Sequence, residues 1–507
     1  MSPPRRLRSR LEMLTSFRGP SRVLHLTTLA FFLSFVVWFD MAPFAPAIKD
    51  ELGLTDAQMV TLALCNLALT VPARVVIGAV LDRVGPRRLF AGLLVFAAVP
   101  NTVFAMSSSF TMLVASRLAL GIVGAGFVVG IRMVSEWFPA KDLGTAEGVY
   151  GGWGNFGSAA AALALPGIAS VVAAGAGGWR WGIGVAGVIA AIYGVIYWFA
   201  VADSPTPDAV VARKRRMGAL VVPSRGAVWG LVALQLPVAG ALGVVAWRVE
   251  AVGVLSRGGF LITLGLVAAY LLWQVRLVFR VNAPVLAGET PEHQYPFRSV
   301  VLLSLAYGIT FGAELTVVSL LPTFFADTFG LQIGAASAAG SAFAFTNLMT
   351  RPGGGLVSDV TGDRQRWVRI ALWGTAASFG LLALLDGSWP LPVGIAVVAL
   401  ASVFVQGGNG AVFAMVPLVH KPASGPIAGL AGSYGNIGGI AFSSILFLTD
   451  GDAQILFLVV AGSAVAVALL CRWLPDAAAA VAAEPPVEVL LEVADGDPLA
   501  GRVPAVV

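Results

Sequence analysis

The sequence contains few charged residues, and this scarcity is the first constraint on the kind of protein it encodes. Only 12% of its 507 residues are charged, whereas 58% are hydrophobic. A soluble domain carries about 25% charged residues. A chain of this length with half that share has lipid, rather than water, around most of its surface.

Cysteine and histidine are also scarce, which excludes several kinds of site. The two cysteines, Cys65 and Cys471, lie far apart in apolar runs, so neither a disulfide framework nor a metal-binding spacing is present. The three histidines, His25, His293 and His420, fall near the predicted inner surface, so a histidine relay is not expected. No nucleophile triad or phosphate loop is recognisable. We therefore expect no enzyme, no cofactor and no metal.

Long apolar runs make up most of what is present, and a helical membrane span needs about 20 such residues. The runs follow each other in groups of six, two and six, which predicts an all-α membrane protein with about 14 spans. The predicted spans are 25–48, 58–80, 89–107, 111–134, 147–173, 180–201, 226–247, 255–278, 299–324, 333–357, 367–386, 391–418, 424–448 and 453–474.

These groups define the predicted domains. The amino-terminal half is expected at 25–201 and the carboxyl-terminal half at 299–474, with a linker carrying two extra spans at 202–298. Residues 1–24 form a cytoplasmic segment, and no small-residue cleavage pattern follows the first span, so that span is expected to be retained. The tail at 475–507 is rich in Ala, Val and Pro and dotted with acids, which favours disorder.

The formal net charge of +5 is unevenly distributed, because the cations cluster in short segments between the apolar runs. This is the loop pattern that orients a membrane protein, and it argues against nucleic acid as a partner. With the amino terminus inside, the outside segments hold mainly acids, and their only basic residues are Lys49, Arg180, Arg248 and Arg257. An even number of spans then places both termini in the cytoplasm.

Two motif pairs reveal an internal repeat. Residues 74–87 and 351–364 both fit R-x3-G-x3-D-x2-G-x-R, 277 positions apart. Residues 151–157 and 432–438 both fit G-x-aromatic-G-N-x-G, 281 positions apart. Two independent pairs at nearly one offset indicate two homologous halves, with a substrate site near the membrane midplane between them.

The first motif places one arginine from each half deep in the membrane. Arg74 and Arg351 lie eight residues before Asp82 and Asp359, which are expected at the inner face. Eight residues of helix rise roughly 12 Å, and a charge at such depth costs about 2.5–3.5 kcal/mol or more. A guanidinium offers a planar fork of donors that suits a planar oxyanion. The pair therefore predicts an anion site.

A structural alternative accounts for the same arginines. Each arginine would pair with a buried acid and lock two helices together, without leaving room for an ion. The acids available as partners are Asp40, Glu136 and Glu314. The recurrence of the arginines at equivalent positions favours the anion site.

The second motif admits two roles of equal weight. Glycine lets helix backbones approach closely, so the motif is typical of tight packing or gating. The amides of Asn155 and Asn436 offer donors and an acceptor, so they are also candidate substrate ligands. The motif glycines expected to act in packing or gating are Gly154, Gly157, Gly435 and Gly438.

The loop at 78–88 reads G-x3-D-R-x-G-x-R-R and is expected to act in gating, through Asp82, Arg83 and the equivalent Asp359. A purely solvated loop is the alternative. The motif resembles the signature loop of the major facilitator superfamily, and Arg117-x3-Gly121 in the fourth span resembles another motif of that superfamily.

Within that superfamily the chain resembles the nitrate/nitrite porters. Its G-N-x-G pair is similar to their nitrate signature, and its two arginines match their anion-binding arginines. Tyr307 and Phe311, at Tyr-x3-Phe spacing, resemble the substrate-pocket pair of the family, and Phe127 matches a further pocket phenylalanine. The resemblance covers about 25–200 and 299–474. It implies a pocket of Arg74, Arg351, Asn155, Asn436, Tyr307, Phe311 and Phe127.

The resemblance implies a transporter of nitrate, nitrite or both in a bacterial inner membrane, acting as a monomer by alternating access. Two couplings remain open. In proton symport a buried carboxyl carries the proton, and Glu314 and Asp40 are the candidates because burial favours a neutral acid. In nitrate/nitrite exchange only the loaded carrier reorients, because unpaired arginines are costly to move. The sequence favours symport slightly.

Two other functions are alternatives to transport of an inorganic anion. An exporter of organic solutes or a sugar carrier usually shows more acids or more polar side chains in its spans than this chain does. A membrane sensor needs a signalling domain, and the soluble segments are too short for one. Neither explains the paired arginines.

Overall fold

The computed structural model describes residues 15–172, 177–203, 220–291, 294–449 and 451–476. The side chains of five residues within helices lie outside this description: Asp56, Asp82, Ile333, Gly334 and Ser337. Every regular element in the described ranges is a helix. The all-α prediction is therefore confirmed. The basic segment at 213–216 and the tail beyond 476 lie outside the described residues.

The described residues of the amino-terminal half form ten α-helices, because several spans are interrupted by a turn. They are α1 Gly19–Phe39, α2 Ala45–Leu52, α3 Asp56–Ala68, α4 Thr70–Val84, α5 Pro86–Ala105, α6 Phe110–Gly121, α7 Gly126–Trp137, α8 Leu143–Asn155, α9 Gly157–Val172 and α10 Gly178–Ala200. A short 3-10 helix at Ile122–Ala125 separates α6 from α7. That irregular stretch matters because the carbonyl of Gly124 points into the site described below.

The linker carries α11 Arg225–Ala233, α12 Leu236–Ala251, α13 Arg257–Val281 and the short α14 Ala283–Ala287. The tyrosine hydroxyl of Tyr434, in the carboxyl-terminal half, donates to the carbonyl of Leu234 at the α11–α12 junction, 3.1 Å away. The two inserted spans, α11–α12 and α13, are called the inserted pair. A cavity of about 220 Å³ lies between the inserted pair, α4 and the carboxyl-terminal half, with Arg83 on its wall. The inserted helices thus pack on the seam between the halves.

The carboxyl-terminal half comprises α15 Phe297–Phe329, α16 Ile333–Phe345, α17 Asn347–Thr361, α18 Arg364–Leu382, α19 Leu391–Phe413, α20 Val416–Val419, α21 Ser424–Leu448 and α22 Ala453–Leu470. Helix α15 is the longest of the described helices, at 33 residues. It carries Tyr307, Phe311 and Glu314 on successive turns, so their side chains share one side of the helix.

Eleven helical segments of the described chain are long and apolar enough to span a membrane. The segments 333–361, 364–382 and 424–448 are also helical, but they do not combine the length and the apolar composition of those eleven. The second carries three arginines and the third carries six glycines. The count of about 14 spans and the domain boundaries therefore remain predictions.

The two halves meet along two helix crossings that use the repeated motif. Helix α4 packs against α21, and α17 packs against α8. A Cβ on Gly78 would lie 2.8 Å from the carbonyl oxygen of Gly425, and a Cβ on Gly355 would overlap the carbonyl of Gly144. The glycine in R-x3-G is needed in both halves because backbones touch there.

Candidate functional site

Arg74 lies on α4 with its side chain fully buried. Its Nε donates to the carbonyl of Gly124 at 3.1 Å, and its Nη1 donates to the carbonyl of Gly432 at 2.5 Å. Gly432 belongs to the opposite half, so this guanidinium bridges the two halves. Its Nη2 has no hydrogen-bond partner among the described residues and is available to a ligand.

Arg351 lies at the equivalent position on α17 and is 1% exposed. Its Nη2 donates to the hydroxyl of Tyr307 at 3.0 Å. Its Nη1 lies 3.9 Å from a carboxylate oxygen of Glu314 and makes no hydrogen bond within the described chain. Each of the two arginines therefore keeps one donor group without a hydrogen-bonded acceptor.

The two guanidiniums converge on the same pair of aromatic rings. The Arg74 Cζ lies 5.2 Å from the centre of the Phe127 ring and 5.5 Å from that of Phe311. The Arg351 Cζ lies 5.3 Å and 5.8 Å from the same two centres. The electron-rich ring faces attract both cations. Like charges gathered in a buried place repel each other, which makes the site receptive to an anion.

Three predicted pocket aromatics lie together as the resemblance implied. Tyr307 and Phe311 stack with ring centres 5.0 Å apart, and Phe127 is parallel to Tyr307 at 5.9 Å. Phe413 on α19 meets both Phe127 and Tyr307 edge-on at 4.6 Å. Sequence reasoning missed Phe413, because a lone phenylalanine in an apolar span carries no distinguishing signal.

The two asparagines of the second motif, Asn155 and Asn436, make different contacts around the two arginines. The Asn436 amide donates to the carbonyl of Gly432, which also accepts from Arg74. The Asn155 amide donates to Glu314 at 3.5 Å. Both side chains are buried, and both Oδ1 atoms lack a partner in the described ranges.

The Glu314 carboxylate is held by amide donors from both halves. Asn347 donates to it at 2.7 Å and Asn409 at 2.6 Å, in addition to Asn155. Hydrogen bonds donated to a carboxylate favour its ionised form. Sequence reasoning missed Asn347 and Asn409, although Asn347 lies one helical turn before Arg351 and so shares its face.

The other two acids considered as partners for the arginines are engaged elsewhere. Asp40 is fully buried and accepts from Arg117 at 2.8 Å and from Asn101 at 2.8 Å. Glu136 pairs with Arg132 at 2.7 Å. Glu314 is thus the one predicted acid that lies near the arginine pair, and Arg74 has no ion pair with any described acid.

A polar lock joins the halves at the end predicted to be cytoplasmic. Asp359 accepts from the backbone N–H of Thr145 at 2.7 Å and of Gly144 at 3.2 Å, both in the opposite half. Arg364 donates to the same carboxylate at 2.5 Å. Arg83 is exposed, and the side chain of Asp82 lies outside the described residues.

A second contact at this end joins α7 to the loop before α21. Arg132 donates through Nη1 to the hydroxyl of Ser424 at 2.7 Å and to the carbonyl of Lys421 at 3.0 Å. Its role was not recognised in the sequence. With the Asp359 lock, it holds the halves together at this end.

The glycines of the second motif lie directly against aromatic rings or backbone carbonyls of neighbouring helices. A Cβ on Gly435 would lie 2.7 Å from ring carbons of both Tyr307 and Phe311. A Cβ on Gly438 would overlap the carbonyl of Gly308, and in the other half Gly154 and Gly157 fit against α1 in the same way. These glycines therefore pack, and the packing at Gly435 positions the pocket rings.

Glu147 on α8 is a further buried acid that sequence reasoning missed. It is 1% exposed, and neither of its carboxylate oxygens has a hydrogen-bond partner in the described chain. A Cβ on the next residue, Gly148, would lie 2.9 Å from the carbonyl oxygen of Arg351, so α8 packs closely on α17 here. One turn later on the same face, a Cβ on Gly151 would lie 2.6 Å from the Nε of Arg351. An acid within the signature span, eight residues before Asn155, was the available signal.

Comparison with known proteins identifies the family of this chain. The family model of the Major Facilitator Superfamily matches residues 27–286. The Nitrate/nitrite transporter NrtP of Picosynechococcus sp. is 43% identical over 471 residues, covering 87% of this chain and 88% of that protein. NrtP of Nostoc punctiforme is also 43% identical, covering 91% and 94%.

Among solved structures, the proton:xylose symporter XylE matches with a TM-score of 0.61 at 13% identity, covering 90% of this chain and 95% of that one. At this identity the match shows the fold alone. The relatives by sequence are transporters rather than enzymes, and the apolar helices make this chain a multi-pass membrane protein. The chain therefore belongs to the major facilitator superfamily and, within it, to the nitrate/nitrite porter family.

Proposed function

We propose that this protein transports nitrate and nitrite across the bacterial inner membrane by alternating access, with the anion bound between Arg74 and Arg351. The observation that carries the proposal is the convergence of both guanidiniums on the rings of Phe127 and Phe311. The relatives named nitrate/nitrite transporters support the choice of anion.

The chemistry of the site suits a small planar oxyanion. Each arginine offers one unbonded donor group, and charge-assisted hydrogen bonds from guanidinium to an oxyanion are strong. The Oδ1 atoms of Asn155 and Asn436 are acceptors, so the amides must reorient to donate to the ion.

For the coupling we propose nitrate/proton symport, with nitrate/nitrite exchange as the second candidate. The site holds an ionisable acid, Glu314, beside Arg351. Exchange is favoured instead by the three amides that stabilise Glu314 as a carboxylate, because such an acid takes up a proton reluctantly. Asp40 accepts a hydrogen bond from Arg117, so its carboxylate form is stabilised in the same way.

We also propose that both termini lie in the cytoplasm, that the protein acts as a monomer, and that the Asp359 lock closes the cytoplasmic side. The lock joins the halves at the end where the arginine bias places the cytoplasm. Release of the lock would open the site inward.

The test is uptake of labelled nitrate into proteoliposomes by the wild type, R74K and R351K. Lysine keeps the charge but loses the fork, so we expect each variant to lose at least tenfold in nitrate uptake. The matched control is R257K, because Arg257 is an exposed residue of the inserted pair. Wild-type rates in both R74K and R351K would contradict the proposal, as would failure of nitrite to compete with nitrate.

A further inference from the structure

We propose that Glu147 is the site that binds the transported proton, and that it is protonated when the anion is bound. This inference rests on the proposed function and names the group behind its coupling. The buried acids among the described residues are Asp40, Glu147, Glu314 and Asp359. Asp40, Glu314 and Asp359 accept hydrogen bonds from nitrogen donors, whereas Glu147 accepts none from any described residue.

Hydrogen bonding decides which buried acid takes up a proton most readily. Burying a carboxylate away from water costs free energy when no hydrogen-bond donor replaces the water. The protonated form of Glu147 is therefore favoured. Glu314 has three amide donors and Asp40 has a guanidinium and an amide. Those two acids are stabilised in their charged forms and suit the role of fixed counter-ions.

The charges of the site couple the proton to the anion. Arg74 and Arg351 contribute two positive charges and Glu314 one negative charge, so the site carries +1 when Glu147 is neutral. A monovalent anion then brings the buried site to zero. With Glu147 ionised the site is already neutral, and an added anion would leave an uncompensated negative charge in the membrane interior. Proton and anion therefore bind together.

The same balance accounts for return of the empty carrier. After the anion leaves, Glu147 releases its proton and its carboxylate compensates the positive charge left by the two arginines and Glu314. The empty site is then neutral and can reorient without moving unpaired charge. The step forms and breaks only the O–H bond of the carboxyl, and the proton passes to water on the side to which the site is open.

Among the charged and titratable groups around Glu147, we assign Glu147 itself as the group that gains and loses the proton. Helices α1, α7, α17 and α19 pack against α8. The charged or titratable groups on these elements are Arg22 and His25, Arg132 with Glu136, and Arg351 with Asp359, beside Tyr150 on α8 itself. Arg22 donates to the carbonyl of Ala200. His25 bonds to the carbonyl of Ser16, and Tyr150 donates to the carbonyls of Gly126 and Phe127. Helix α19 carries no charged residue.

The test is the pH dependence of nitrate binding to purified protein, with nitrate itself as the probe. If one proton binds with each anion, the Kd of the wild type rises about tenfold per pH unit once Glu147 ionises in the empty protein. E147Q, which is permanently neutral, should bind nitrate with a Kd that does not change with pH. E250Q, on the inserted pair, serves as the matched control and should retain the slope.

Proton movement gives a second readout. In proteoliposomes containing a pH-sensitive dye, nitrate uptake by the wild type should acidify the lumen, and E147Q should lower that signal at least tenfold. If E147Q does not fold, E147D, which keeps an acid on a shorter side chain, should retain the slope with a shifted midpoint. A wild-type Kd independent of pH, or an unchanged slope in E147Q, would overturn the inference. Absence of nitrate binding at any pH would instead contradict the proposed function and, with it, this inference.

Discussion

At the residue scale, the two arginines are equivalent in sequence but not in surroundings. Arg74 is bonded to backbone carbonyls, whereas Arg351 is bonded to Tyr307 and lies beside Glu314. Glu147 lies on α8, which packs against the helix of Arg351. All acid at the site is thus on one side. The repeat predicted two positive forks, but the asymmetry sets the net charge of the site, and in our proposal that charge determines whether a proton binds with the anion.

A glycine of the second motif offers a test of ring positioning. Gly435→Ala places a Cβ 2.7 Å from Tyr307 and Phe311, so the rings must move. Because overpacking typically costs about 1–3 kcal/mol, we expect nitrate affinity to fall by roughly tenfold, measured as the Kd of the purified protein. Gly462→Ala is the control, since its Cβ would meet no atom within 4 Å. Equal affinities in the two variants would show that ring position does not matter.

At the element scale, the helix crossings explain why glycine recurs in the first motif. Gly78 on α4 and Gly355 on α17 each meet the backbone of the opposite half. No side chain fits there without separating the helices. The sequence showed that these glycines repeat, but the partner helices became visible only in the structure.

The α4–α21 crossing can be tested by adding one methyl group. The Cβ of Gly78→Ala would lie 2.8 Å from the Gly425 oxygen and 3.2 Å from the Gly429 Cα, and neither backbone atom can rotate away. We expect the halves to separate at the α4–α21 crossing, so that the population of the separated state rises about fivefold or more. Spin labels at the exposed Arg88 and Arg366 would report longer distances. Gly92→Ala, whose Cβ would meet nothing within 4 Å, should leave the distances unchanged.

At the scale of the whole molecule, the halves are joined at one end by the Asp359 lock and by Arg132. The inserted pair packs on the seam without contributing a residue to the arginine site, which fits its absence from the repeated motifs. Alternating access requires these inter-half bonds to break and re-form in each cycle.

The lock gives a prediction for the conformational equilibrium. Asp359→Asn removes the charge that Arg364 and the two backbone N–H groups bind, and it leaves a buried guanidinium without its counter-ion. Breaking a buried pair in this way costs about 3–5 kcal/mol. We expect the population to shift toward the state open at this end, seen as longer Arg88–Arg366 spin-label distances. Asp363→Asn, at the amino-terminal cap of α18, is the control, and identical distance distributions in the two variants would rule out the lock.

Hydrophobicity and the repeat by themselves determined the helical membrane fold with its two related halves, and the resemblance of the motifs determined the family and predicted the candidate pocket residues. Those features are local, or recur at a fixed offset, so they can be read along the chain: Arg74, Arg351, Phe127, Tyr307 and Phe311 lie together as expected. Only the tertiary structure decided which acids face the arginines, since Asp40 and Glu136 are paired elsewhere while Glu314 lies beside Arg351. Glu147 is buried without a hydrogen bond from any described residue, on the helix that packs against α17. The reason is physical: apolarity and spacing fix how deep a residue lies, but its neighbours across the interface depend on how the halves dock.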